Sequence, residues 1–266
     1  MMLLPTYDIV VSRWRRNVDW VNTLPFVYVE VFGEFAGLDG ANIPCGSVPS
    51  GSVPSGSVPS GSDIKDNVQI KDNVQIKDNV QIKDNVQIVI YDKGDECPAN
   101  PYNVPENKGN EASVYLKYII DHYDKGEGEG GFPDYVFFVH DEEFSWHHAG
   151  SLYDRFKEAI VLRQRFYNIN DFVMQSLYGN IYIWEILAWY DKYVEPYIPL
   201  DSLPNPDFTI GHKGAAQFMV HKEAILHLPK SFYLGLYDWV MNSGESSFVT
   251  GRFLEWTWHI FWDLHR

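Results

Sequence analysis

Short apolar runs alternate along the chain with stretches whose apolar positions recur every three or four residues, the order expected of an α/β domain. Asp8-Ile-Val-Val-Ser12 reads as a buried strand, followed by Arg13-Trp-Arg-Arg16 and a helix-like stretch from Asn17 to Val21. Val86-Gln-Ile-Val-Ile-Tyr91 is a second strand, ending in Asp92-Lys93-Gly94. The spacing predicts a helix over Glu111 to Tyr123, with Ala112, Leu116, Ile119, Ile120 and Tyr123 on one stripe. A third strand, Tyr135-Val-Phe-Phe-Val139, runs into His140-Asp-Glu-Glu143. Phe26 to Phe32 is an additional strand of unassigned place. Near the C-terminus a short strand, Gly214 to Val220, feeds helices at Lys222 to Leu228 and Ser231 to Met241. A final helix is expected from Arg252 to Leu264, with Phe253, Trp256, Ile260 and Phe261 facing the core.

Low complexity interrupts this pattern. Gly-Ser-Val-Pro-Ser occurs three times from Gly46 to Ser60, and Ile-Lys-Asp-Asn-Val-Gln four times from Ile64 to Gln87. Perfect copies without diverged end copies indicate recent duplication rather than a solenoid, whose terminal repeats become caps. The first part is a linker composition. In the second, Val68, Ile70, Val74, Ile76, Val80 and Ile82 share one face if extended, so a β-ribbon competes with a mobile insertion. The organisation is therefore one α/β domain, residues 1–45 and 86–266, split by an insertion at 46–85.

Composition narrows the function. The chain of 266 residues is 45% apolar, enough for a sizeable core, and carries a net charge of -15. That balance disfavours a binder of nucleic-acid backbones, which needs a basic face. No run approaches a membrane helix, and Met-Met-Leu-Leu-Pro-Thr at the start is too short for a signal peptide, so a cytoplasmic location is expected. Two cysteines, Cys45 and Cys97, give neither a disulfide framework nor a zinc spacing. The nine Trp suit a thick aromatic core better, ring by ring, than stacking on sugars or bases.

In open α/β sheets ligands bind beyond the carboxyl ends of the strands. Those ends here carry Arg13, Arg15 and Arg16, then Lys93, then Asp141, Glu142 and Glu143. Cations beside a carboxylate cluster suit a phosphate-bearing ligand held partly through a divalent metal. Each charge alone reads as a solvated loop residue; it is their convergence that suggests a site. The stretch from Asp121 to Glu143 holds eight acids against one lysine, nearly half the net charge. Its glycine-rich part, Asp124 to Gly130, lacks calcium-loop spacing and reads as a flexible surface loop. His140, His147 and His148 follow around Trp146, near enough to the carboxylates to ligate a metal or act as acid/base groups. Glu255 and His259, four apart on the expected last helix, form an intrahelical pair or a histidine oriented by a carboxylate.

A series of blocks carries a family resemblance. Val10-Val-Ser-Arg-Trp14 with Trp20, Tyr91-Asp-Lys-Gly94, Asn107-Lys-Gly-Asn-Glu111 with Tyr115 to Tyr123, Phe137-Phe-Val-His140 with Trp146-His147, Ala216-Gln-Phe218, and Leu254 to Phe261 occur in order. The chain thereby resembles a domain of unknown function met in fungi, algae and large DNA viruses whose members are glycosyltransferase-like. The resemblance spans nearly all of the chain except about residues 22 to 85. It implies a single GT-A-like (Rossmann-like) domain, a central mixed sheet with flanking helices, interrupted by the repeat insertion. It also implies transfer of a sugar from a nucleotide-sugar donor to a glycan or protein acceptor, with Mn²⁺ or Mg²⁺ on the diphosphate. Carried onto this chain, the metal ligands would be Asp141, Glu143 and His259. Arg13, Arg16, Lys93 and Gln217 would contact the donor, and Glu142, Glu143 and His147 are the base candidates. Two rivals stand beside this reading. One is a metal-dependent hydrolase built on His140, Asp141, His147 and His259. The other is a non-catalytic carbohydrate-binding or scaffold protein, favoured because Trp14-Arg15-Arg16 replaces the Tyr-Asn-Glu usual in the first block.

Overall fold

The structure is a computed structural model, and it describes residues 5–13, 20, 86–94, 102–126, 130–171, 182–202, 210 and 216–263. The expected strand at Phe26 to Phe32, the repeats, both cysteines, Arg15 and Arg16 lie outside the described residues. Five strands form one mixed sheet. They are β1 (Tyr7–Arg13), β2 (Val86–Asp92), β3 (Tyr135–His140), β4 (Phe166–Asn168) and β5 (Phe218–His221), in spatial order β2-β1-β3-β5-β4. β1 pairs in parallel with both β2 and β3, while β5 runs antiparallel to β3 and to β4.

The complete burial of β1 is explained by its place. Every residue from Tyr7 to Arg13 is buried, because the strand lies inside the sheet and both sheet faces are covered. Alternate side chains divide between two cores, as the two-residue period of a strand requires. Val10, Val89, Val136, Phe138 and Phe218 face helices α1 (Ala112–His122), α5 (Lys230–Asn242), α6 (Ser247–Glu255) and α7 (Trp258–Trp262). Ile9, Val11, Ile88, Phe137 and Val139 face α2 (Leu152–Leu162) through Phe156 and Ile160. Helices α3 (Ile183–Tyr193) and α4 (Lys222–His227) complete the larger layer. Most of the tryptophans are core residues: Trp258 and Trp262 stack at 5.3 Å within 3° of parallel.

Two expected elements change. The last helix is broken rather than continuous: α6 ends at Glu255 and α7 begins at Trp258. Thr257 makes the break, its hydroxyl donating back to the Phe253 and Leu254 carbonyls at 2.9 and 3.2 Å, in competition with the regular ladder. Glu255 and His259 therefore sit on different helices, and Glu255 lies 3.5 Å from Arg252 instead. The strand expected from Gly214 starts only at Phe218. Among the described residues no helix is long and apolar enough to cross a membrane.

Candidate active site

The chain visits β1, then β2 on one side of it, then crosses by α1 to β3 on the other side. The carboxyl ends of β1 and β3 therefore diverge at a topological switch point, where α/β sheets open a crevice. A cavity of about 180 Å³ lies there, lined by Ser12, Lys93, Asn110, Glu111, His140, Asp141 and Glu142. Register brings the walls together, since Ser12 stands opposite both Tyr91 and His140.

The charges at the strand ends are not equivalent. Arg13 is spent on its cross-strand neighbour: Nε and Nη2 donate to the Asp92 carboxylate at 2.6 and 2.9 Å, both side chains nearly buried. It ties β1 to β2 and does not line the cavity. Lys93, the next residue, does line it. Its Nζ donates to the Asn110 carbonyl at 3.2 Å, and burial lowers its pKa against the opposing pull of Glu111 and Asp141.

The far wall depends on the turn before α1. Gly109 and Asn110 both take positive φ, 72° and 52°, and this left-handed pair turns the chain so that Glu111 caps α1 at the cavity. A Cβ on Gly109 would lie 2.4 Å from Val240 Cγ1, so the position demands glycine for space as well as for conformation. Glu111 is buried, and burial alone would raise its pKa. The His140 imidazole, with Nε2 at 3.6 Å from Oε2, and the Lys93 charge outweigh that and hold it below the usual carboxylate range. At 3.6 Å the two groups are too far apart for a hydrogen bond, and His140 Nε2 makes none.

Two further groups complete the cluster. Glu255, at the end of α6, is pushed up to about 7 by burial and by the Glu111 charge, against Arg252 and His140. His147 is lowered to about 4 by burial and by neighbouring His140, whose ring it meets edge-on at 4.9 Å. Two carboxyls that feel one imidazole thus have pKa values driven apart, Glu111 below the usual carboxylate range and Glu255 raised to about 7. Such a separation is what acid/base assignments are made from.

The expected residues sort clearly. Lys93, Asp141 and Glu142 are together at the cavity, and the indole of Trp20 donates to the Asp141 carbonyl at 3.1 Å. Glu143 does not line it; its carbonyl accepts from Leu152 at the start of α2. Gln217 is fully buried and supports the site from behind, its Oε1 accepting the His140 backbone N–H at 3.2 Å. His259 is fully buried on α7, every residue of which is buried. Among the described residues no three His, Cys, Asp or Glu side chains are spaced to share a metal ion, so neither the set Asp141, Glu143 and His259 nor the hydrolase set is gathered. The helix break at Thr257 is the physical reason His259 leaves the face expected for it. Arg16 lies outside the described residues. Ser12, Asn110 and Glu111 were not singled out as site residues. Of these only Glu111 carried a signal, as the acid closing the Asn107 to Glu111 block ahead of a helical stripe.

Comparison with known families decides kinship. A family described as a protein of unknown function, DUF3431, matches residues 69–186 and 173–266. The chain belongs to this family. The matched residues begin inside the repeats and leave β1 outside, although β1 pairs along its length with two strands of the matched part. Neither the curated proteins nor the solved structures contain a match to the chain. The DUF3431 domain of this chain thus shows an α/β fold with a five-stranded mixed sheet and flanking helices.

Proposed function

We propose that this DUF3431 protein is a glycosyltransferase, GT-A-like in architecture, that moves a sugar from a nucleotide-sugar donor to a glycan or protein hydroxyl. The observation that carries the reading is the convergence of Lys93, Asp141 and Glu142 on one cavity at the switch point of the sheet. The Lys93 ammonium is buried beside Asp141, so it meets a diphosphate in a poorly screened environment. As the bond between anomeric carbon and diphosphate oxygen breaks, its electron pair goes to that oxygen, and a fixed cation there stabilises the developing charge. Of the base candidates only Glu142 lines the cavity, so it takes the proton that the acceptor hydroxyl releases as its oxygen bonds to the sugar.

The donor set also suits a hard divalent cation. Mg²⁺ and Mn²⁺ bind through one or two carboxylates and substrate phosphates, so Asp141 would be the protein ligand, leaving Glu142 free as base. When bound, such an ion would neutralise charge on the leaving diphosphate.

The test is turnover of a nucleotide-sugar panel with manganese, with and without EDTA. Release of nucleoside diphosphate that falls about 100-fold in Asp141→Asn or Glu142→Gln supports the reading. Full activity in both variants, or no turnover of any donor, overturns it.

A further inference from the structure

A second surface beside the cavity exposes two large aromatic rings. Trp146 is 80% exposed and Phe144 66%, on the loop that follows Asp141, Glu142 and Glu143. An indole held open to water forgoes the burial that most rings of this chain obtain. One face of Trp146 is backed: it stacks on the His147 imidazole with centroids 4.0 Å apart and planes 29° from parallel. His147 is itself buried and meets His140, a cavity wall, edge-on at 4.9 Å. The contacts from the exposed indole to the cavity are thus continuous.

The loop is also pinned. The His147 backbone N–H donates to Ser145 Oγ at 3.1 Å, and the His147 carbonyl accepts from Asp171 N at 2.9 Å. Asp171 in turn accepts from Ala149 N and pairs with Arg155, both at 2.5 Å, while Leu152 N donates to the Glu143 carbonyl at 3.0 Å. A ring fixed before its ligand arrives loses little entropy on binding.

We infer that Trp146, flanked by Phe144, is a saccharide subsite that stacks a neutral pyranose beside the cavity. The chemistry selects that class. A pyranose offers an apolar C–H face to the indole and hydroxyl donors to the carboxylates that follow β3, whereas an anionic ligand would need a cation beside it to offset them. Its role as the acceptor's subsite rests on the glycosyl-transfer reading; its binding of sugar does not.

The experiment titrates the whole protein with trisaccharides of glucose, mannose, galactose and N-acetylglucosamine, following the Trp146 indole N–H by NMR. The signal is assigned by its loss in Trp146→Phe. The expected result is a saturable shift with at least one sugar and, by calorimetry with that sugar, an affinity kept within about threefold by Trp146→Phe and weakened about tenfold by Trp146→Ala. Trp184→Ala, at another tryptophan of similar exposure, 77%, should change nothing. No shift with any sugar, an equal loss in Trp184→Ala, or a shift with free nucleosides in place of sugars would overturn the inference. Nucleotide-sugar binding is measured on the same sample. Donor binding with a silent Trp146 signal sinks the subsite and leaves the transferase reading standing. Saccharide binding without donor binding supports the subsite and sinks the transferase.

Discussion

Replacing Glu255 by glutamine should change how stability depends on pH, in a direction fixed by the packing around it. The side chain is only 13% exposed and comes under the Glu111 charge, opposed by Arg252 and His140. Burial and the Glu111 charge move its pKa from 4.5 to about 7. Below pH 4.5 the carboxyl is protonated in both folded and unfolded chains. Between there and pH 7 the folded chain keeps a proton that the unfolded chain has released, so stability falls as pH rises. At roughly 1.4 kcal/mol per pH unit the full loss amounts to about 3 kcal/mol, an upper bound because Arg252 relaxes toward the new charge. Glutamine keeps the neutral shape and removes the loss. Urea denaturation at pH 4.5, 6 and 8 should find Glu255→Gln equal to the parent at the acid end and more stable by about 1 to 3 kcal/mol at pH 8. Parallel profiles, or an advantage growing toward acid, would refute the burial of this carboxyl against Glu111.

Other consequences follow from the same geometry. His147, lowered to about 4 by burial, contributes stability that is complete above pH 6.5 and lost as pH falls toward 4; His147→Phe should remove that acid-side loss in the same denaturation series. Gly109→Ala places a methyl against Val240 at positive φ and should cost about 2 to 4 kcal/mol by thermal unfolding, where a surface glycine such as Gly244 tolerates alanine. Asp92→Ala leaves the Arg13 guanidinium buried without its carboxylate and should destabilise by about 3 to 5 kcal/mol; the double change Arg13→Met, Asp92→Leu should recover most of it.

How much was legible in the sequence differs between fold and site. β1, β2, β3 and α1 were readable because their apolar runs are long and bounded by charge, and the structure moves their ends by a single residue or two. The strand-end rule then located the cavity, since Lys93 and the acids after β3 follow directly from strand order. What it missed is tertiary. Glu111 reaches the cavity only because Gly109 and Asn110 turn left-handed, and Glu255 comes under the Glu111 charge only because α6 packs against α1. Arg13 pairs across strands with Asp92, a partner that depends on register between residues 79 apart in the chain. β4 has three residues, too few for a period, and the break at Thr257 is a side-chain hydrogen bond that periodicity does not encode.

Calorimetric titration of the intact protein with a nucleoside diphosphate in the presence of Mn²⁺ tests the central claim most directly. The account predicts saturable binding that weakens at least about tenfold in both Lys93→Met and Asp141→Asn, from loss of a buried cation or a carboxylate at the diphosphate. Undiminished affinity in both variants, each confirmed folded by circular dichroism, would contradict it.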